Sequence, residues 1–272
     1  MMRYLGVAEE FIRCKYGAVM FDDNHKDNLV EHGFCVVPGV LDNAGVADVR
    51  QRLVQASAES QRRGVPAWIE GLDPNDSNER VFNLLDLDPV FVDLIDHKLA
   101  NELVSHALGD SFIISNFTAN IAKPGSQSMV VHSDLSVVMP EPWQATWSVN
   151  VMWCLDDMYR ENGATLYLPG SHHIEKRSEL PADPLEHMVP LQASAGSVIL
   201  MDGRLWHTSG TNTTKDQERA LLFGYYTQPF IRPQWNFSVG LSDAVKANLS
   251  DVMRTRLGLT ISANVRPLTG VK

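Results

Sequence analysis

From residue 111 to residue 228 the chain is cut into short apolar stretches by glycine, proline and small polar residues. Residues 111–122 alternate in part (Phe112, Ile114, Phe117), and Lys123-Pro124-Gly125-Ser126 supplies a turn. Comparable stretches follow at 129–139, 146–155, 164–168, 197–201 and 219–228, with Pro169-Gly170 closing one of them. Short strands in such succession predict a β-sandwich or barrel.

The flanks carry a different period. Gly33-Phe34-Cys35-Val36-Val37-Pro38 reads as a short strand. Asp42 then offers an N-cap for a helix over 44–63, where Val46, Val49, Leu53 and Ala56 recur at three- and four-residue steps. A second helix is predicted over 89–108, with Phe91, Leu94, Ile95, Leu99 and Leu103 on its apolar face and Gly109 as its stop. A last helix over 242–257 places Val245, Leu249, Val252 and Met253 together. The expected class is mainly β with flanking helices. No repeat, low-complexity tract or long linker divides the 272 residues. One domain, 1–272, is therefore expected, with a mainly helical flank (1–110), a β-core (111–228) and a C-terminal lid and helix (229–272).

Charge and cysteine usage restrict the partners. Lys and Arg number 23 against 33 Asp and Glu, a net charge of −10. That balance argues against nucleic acid and against anionic membrane surfaces. No apolar run approaches a membrane span, and the first residues, MMRYLGVAEEFIRCKYG, lack a clean apolar signal core. The last residues, Leu268 to Lys272, match no peroxisomal or ER address. Cys14, Cys35 and Cys154 are odd in number and show no CxxC spacing, which suggests a reducing compartment. Cytoplasm is the expected location.

The chemistry concentrates in two places. In Val131-His132-Ser133-Asp134, residues i and i+2 of a strand project to one face, so one ion could touch both His132 and Asp134. Alone, an H-x-D is a weak signal that a solvated turn also produces. Further on, an apolar strand at Leu200-Met201 runs through Asp202-Gly203-Arg204 to His207. Two histidines and one carboxylate leave three positions of Fe(II) open for a bidentate cosubstrate and O₂. Arg219 opens the next apolar strand, and a buried guanidinium needs an anion such as a carboxylate. Convergence of these parts, rather than any one, points to a metal site. The His172-His173 pair reads as structural, because adjacent residues of a strand face opposite ways. His25, His32, His97, His106 and His187 have no partner pattern, and Asp156-Asp157 beside Arg160 and Glu161 reads as a solvated turn.

At these residues the sequence resembles the phytanoyl-CoA dioxygenase family of Fe(II)- and 2-oxoglutarate-dependent oxygenases. The resemblance runs from Gly33-Phe34 through Arg219. It rests on His132-Ser133-Asp134, on Asn162-Gly163-Ala164-Thr165-Leu166-Tyr167-Leu168-Pro169-Gly170-Ser171-His172, and on His207 through Arg219. It implies a double-stranded β-helix, or cupin-like jelly roll, with iron in its mouth. His132, Asp134 and His207 resemble the catalytic iron ligands. Arg219 resembles the arginine that takes the distal carboxylate of 2-oxoglutarate, with Ser209 sharing that contact and Thr165 a further candidate. Some members place a glutamine three residues before the first ligand; Met129 stands there here, leaving Gln127 or Asn150 for a polar contact. Halogenating relatives carry a small residue in place of the carboxylate. Asp134 therefore favours hydroxylation or another oxidation, with release of succinate and CO₂.

The resemblance implies a small, largely apolar substrate in secondary metabolism. Alternatives are a catabolic hydroxylase of an acyl-CoA, which the −10 charge disfavours, and a non-oxygenase metal-binding jelly roll using Zn(II) or Mn(II), for which Arg219 has no use. A ligand-binding sandwich without catalysis is a third. A homodimer is compatible with the resemblance. Trp143, Trp147, Trp153, Trp206, Phe230 and Trp235 read first as core and second as lining for an apolar substrate. Residues 229–237 are expected to cover the mouth, with Arg232 and Gln234 as polar candidates and Phe230, Trp235 and Phe237 as apolar ones.

Overall fold

The computed structural model describes residues 19–71 and 73–260. Its centre is an antiparallel sheet of β1 (Phe34–Val37), β2 (Asn78–Val81), β3 (Ile113–Ala122), β4 (Ser148–Cys154), β7 (Val198–Asp202) and β9 (Arg219–Thr227). Their spatial order is β1-β7-β4-β9-β3-β2. A second, three-stranded sheet has the order β6-β5-β8, from β5 (Leu166–Tyr167), β6 (Val189–Pro190) and β8 (His207–Thr208). The two sheets make the jelly roll that the family resemblance implies, within the sandwich-or-barrel class expected from the strand pattern.

Alternation along the strands assigns the two faces of the large sheet. Val149, Val151 and Trp153 of β4, with Ala220, Leu222 and Tyr226 of β9, join the larger apolar cluster. That cluster also contains the helices α2 (Asn43–Arg62), α3 (Pro89–Ile95) and α4 (Lys98–Leu108). Met152, Cys154 and Leu221 turn to a second cluster that includes Ala164, Leu191 and Leu205 near the smaller sheet. Both faces are thus covered, which explains why β4 and β9 read as nearly continuous apolar runs. Asp42 caps α2 as expected, accepting from the Gly45 N–H at 2.7 Å. Val49, Leu53 and Ala56 are buried on its inner side, each valine or leucine contributing roughly 1.5–3 kcal/mol.

The departures from expectation have identifiable causes. The helix predicted over 89–108 is two helices, because His97 takes an extended ψ of 132° between them. Its ring lies edge-on to Trp153 at 5.4 Å, a tertiary contact that outweighs local helix preference. The helix predicted over 242–257 is likewise two, α6 (Asp243–Asn248) and α7 (Asp251–Arg256), following a short α5 (Phe237–Gly240). Ser250 accepts from the Met253 N–H and restarts the chain as a new N-cap. Val252, placed on the buried side by periodicity, is exposed. The strand predicted over 129–139 is instead a loop with one bridge at His132 and a short 3₁₀ turn at Asp134–Val137. Cys14 and both terminal segments lie outside the described residues. Among the described residues no helix is long and apolar enough to cross a membrane.

Gly33 closes α1 (Asp23–His32) at a φ of 78°, its N–H donating to the Leu29 carbonyl at 3.0 Å. A Cβ there would lie 2.7 Å from Cγ of His172. His172 is itself buried, with Nε2 3.0 Å from the Val30 carbonyl, so its role is to pack this corner. Gly33→Ala is expected to lower the unfolding free energy by about 2–4 kcal/mol, through strain and overpacking together. Urea unfolding measures this, and an unshifted midpoint would contradict the packing.

Candidate metal centre

His132 and His207 face each other across a two-hydrogen-bond bridge. The His132 N–H donates to the His207 carbonyl at 3.0 Å, and the His207 N–H donates back at 2.7 Å. Each ring is oriented by the carbonyl two residues before it. Nδ1 of His132 lies 2.9 Å from the Val130 carbonyl, and Nδ1 of His207 lies 2.9 Å from that of Leu205. Those carbonyls accept from a protonated Nδ1, which leaves the lone pair on Nε2 in both rings. Burial pushes the His207 pKa below the usual imidazole value, so the ring is held neutral as a metal ligand requires.

Asp134 completes the group. Ser133 is extended, so the i, i+2 relation holds, and Asp134 then opens the 3₁₀ turn. Its carboxylate oxygens lie 4.0 Å from Nε2 of His132 and 3.9 Å from Nε2 of His207. One donor atom from each of the three residues falls within 4.8 Å of the others. Two imidazole nitrogens and one carboxylate, all on one side, fit a divalent first-row metal with open positions.

The surrounding chain holds these candidate ligands in place. Asn150 of β4 donates from Nδ2 to Asp134 Oδ2, and the Tyr225 hydroxyl donates to the Asp134 carbonyl at 3.2 Å. The Leu135 N–H donates to the Gly203 carbonyl at 2.8 Å, joining the Asp134 turn to the Asp202-Gly203-Arg204 turn. A Cβ at Gly203 would lie 2.7 Å from the Ser148 carbonyl oxygen, so a side chain there would force the backbone to shift. Asn150→Leu is expected to weaken divalent-metal binding by about 10–100-fold with little change in thermal stability. Calorimetric titration checks this; unchanged affinity would show that backbone contacts alone hold Asp134.

These groups open onto a cavity of about 490 Å³, within the usual range for small-molecule sites. Arg219, Ser209, Thr165 and Asn150 all line it. Arg219 is 1% exposed; its Nε and Nη2 donate to the Gly163 carbonyl at 3.1 and 2.6 Å, and Nη1 lies 3.3 Å from Asn120 Oδ1. Among the described residues it has no ion pair, and burial pushes its pKa down to about 10. A buried cation without a carboxylate is the state an anionic ligand relieves. The nearby Asp156 is committed elsewhere, to Arg50 at 3.0 Å and the Ala220 N–H at 2.7 Å, and so is not a solvated turn residue.

The Asn162–His172 motif now has a physical role. Its Gly163 carbonyl seats the Arg219 guanidinium, and its Ser171 Oγ accepts from the Trp206 N–H at 2.9 Å, one residue before His207. One expectation needs correction. Gln127 is exposed and outside the cavity wall; its backbone pairs with the Asn78 side chain at 3.2 Å in both directions. Asn150 lines the cavity but contacts Asp134, so it positions that carboxylate. In the segment 229–237, Gln234 lines the cavity, Phe237 is buried in the core, and Trp235 stacks on Phe82 with planes 4° apart. Phe230 is exposed against Trp147, and Arg232 is exposed outside the cavity wall. Asn116, Thr118 and Asn120 of β3 also line the cavity. Their polar side chains at alternate positions of an apolar strand are the signal by which the sequence could have revealed them.

A model of the phytanoyl-CoA dioxygenase family matches residues 29–220. The chain belongs to the phytanoyl-CoA dioxygenase family. A curated relative, dioxygenase af480 of Aspergillus fumigatus, is 45% identical over 86% of this chain and 75% of its own length. Among solved structures, HygX from Streptomyces hygroscopicus, crystallised with nickel and 2-oxoglutarate, is similar with a TM-score of 0.64 and 18% identity, over 80% of this chain and 91% of its own. The non-heme alpha ketoglutarate dependent carbocyclase SnoK from nogalamycin biosynthesis is similar with a TM-score of 0.61 and 20% identity, over 85% and 91%. At such identity these two structures bear on the fold. Burial pushes the Cys35 and Cys154 thiols of this family member up to about 12, which removes both as nucleophiles.

Proposed function

We propose that the protein is an Fe(II)- and 2-oxoglutarate-dependent dioxygenase of secondary metabolism that hydroxylates or otherwise oxidises a small molecule. The observation that carries this reading is one cavity lined by both a His-Asp-His donor set and a buried, carboxylate-free arginine. Nε2 of His132, an oxygen of Asp134 and Nε2 of His207 would hold Fe(II). Arg219 would receive the distal carboxylate of 2-oxoglutarate, with Ser209 and Thr165 beside it. Bound there with O₂, the pair supplies the oxidant for a substrate C–H bond as 2-oxoglutarate becomes succinate and CO₂.

The chain's own share is positional. The carbonyls of Val130 and Leu205 fix both imidazoles, and Asn150 fixes the carboxylate. The Asp134 carboxylate would be a ligand where halogenating relatives carry a small residue, which favours oxygenation over halogenation. The curated relative's name, a dioxygenase, supports the reaction class. Incubation of the purified chain with Fe(II), 2-oxoglutarate and O₂ should give succinate even without the true substrate, at a slow uncoupled rate. Absence of succinate together with absence of iron binding would sink the reading.

A further inference from the structure

The cavity wall is divided by chemistry. Along β3, Asn116, Thr118 and Asn120 stand two residues apart and share the inner face. Elsewhere the wall carries Val130 and Val137, which are 78% and 68% exposed at its mouth. Asn120 already serves Arg219. Asn116 serves no metal ligand and no part of the Arg219 site.

A slip in the sheet brings Asn116 a partner. The β3–β9 ladder shifts register between Ile114 and Asn116, so Ser115 falls outside the pairing. Its Oγ accepts from the Gln234 N–H at 2.9 Å, and its carbonyl accepts from the Trp235 N–H at 3.0 Å. Such bulges re-aim neighbouring groups beside functional sites. Here the bulge docks the chain after β9 onto β3, and the Trp235–Phe82 stack anchors it. The side-chain amides of Asn116 and Gln234 then meet at 3.3 Å on the cavity wall. One bond between two amides, whichever way each is turned, leaves a carbonyl oxygen and N–H groups over.

We propose that Asn116 and Gln234 form a donor–acceptor pair that anchors a hydroxyl or carbonyl oxygen of the substrate. The substrate class is then an apolar skeleton that is already oxygenated, its hydrocarbon body resting toward Val130 and Val137. A preceding reaction must supply or retain that oxygen. The word substrate rests on the oxygenase reading above, but the anchor itself needs no metal.

Saturation-transfer NMR on the metal-free full chain tests the pair with cyclohexanone, cyclohexanol and methylenecyclohexane. Methylenecyclohexane has the shape of the ketone without its acceptor. Cyclohexanone and cyclohexanol are expected to saturate about fivefold more strongly, the effect of one hydrogen bond. Gln234→Leu, at an exposed position, and Asn116→Leu should both bring them down to the level of the alkene, with unchanged far-UV circular dichroism. Equal signals from all three probes, no signal from any, or unaltered discrimination in both variants would overturn the anchor. Discrimination by wild-type chain that neither binds iron nor forms succinate would overturn the oxygenase reading and leave the anchor; succinate without discrimination would do the reverse.

Discussion

Replacing His207 by alanine is expected to abolish Fe(II)-dependent turnover of 2-oxoglutarate and to weaken metal binding at least about a hundredfold, more than loss of a supporting contact does. The ring contributes one of three donor atoms, and the two left are a half-exposed imidazole and a carboxylate already engaged by Asn150. Stability should respond differently. The His207 ring makes one described hydrogen bond, to Leu205, while its backbone bridge to His132 survives truncation. The metal-free variant is therefore expected to unfold near the wild-type temperature. His172→Ala is the matching control, since that buried ring braces Gly33 and Val30 outside the cavity. It should lose stability and keep metal affinity. If the two variants exchange these behaviours, the assignment of His207 as a ligand is wrong.

Arg219→Leu should raise the half-saturating 2-oxoglutarate concentration by about 10²–10³-fold, the usual consequence of deleting one partner of a buried charge pair. Fe(II) affinity measured without 2-oxoglutarate should stay at the wild-type level, because Arg219 touches none of the three ligands. Arg219→Lys keeps the charge but loses the fork. A single ammonium cannot both serve the Gly163 carbonyl and present two parallel donors to a carboxylate, so an intermediate loss is expected. The leucine variant also removes a cation whose pKa burial has pushed down to about 10, so it relieves a buried charge. Enzyme saturating with 2-oxoglutarate like wild type would refute the assignment.

The sequence was informative where chemistry and period coincide. His132, Asp134, His207 and Arg219 are legible because ligand-type residues converge with a family-like signature, and the structure brings the first three within reach of one ion. The Asn162–His172 motif was visible as a signature, yet its work is done by a backbone carbonyl and a serine hydroxyl, which residue identity does not announce. β5, β6 and β8 are two residues each, too short to show a period. Residues 129–139 misled because their apolar side chains suggest a strand. Val130, Val137 and Met139 are exposed instead, and Val130 and Val137 line the cavity. Phe237 misleads in the opposite sense, since an aromatic residue assigned to a cover is part of the core, whereas Trp235 packs against the core as its first reading has it.

The bridge between His132 and His207 ties together two points about 75 residues apart along the chain. Two backbone hydrogen bonds fasten it, with the Thr208 hydroxyl donating to the Met129 carbonyl at 2.7 Å and the Met129 N–H donating to Ser209 Oγ at 3.2 Å beside them. An ion gripped by both imidazoles would act there as a rivet. Amide hydrogen exchange across 130–134 and 205–209 should slow on metal addition while the six-stranded sheet stays unchanged. Occupancy would then be written into the breathing of this one seam, and a protease acting on the loop after Asp134 could read whether the protein is loaded.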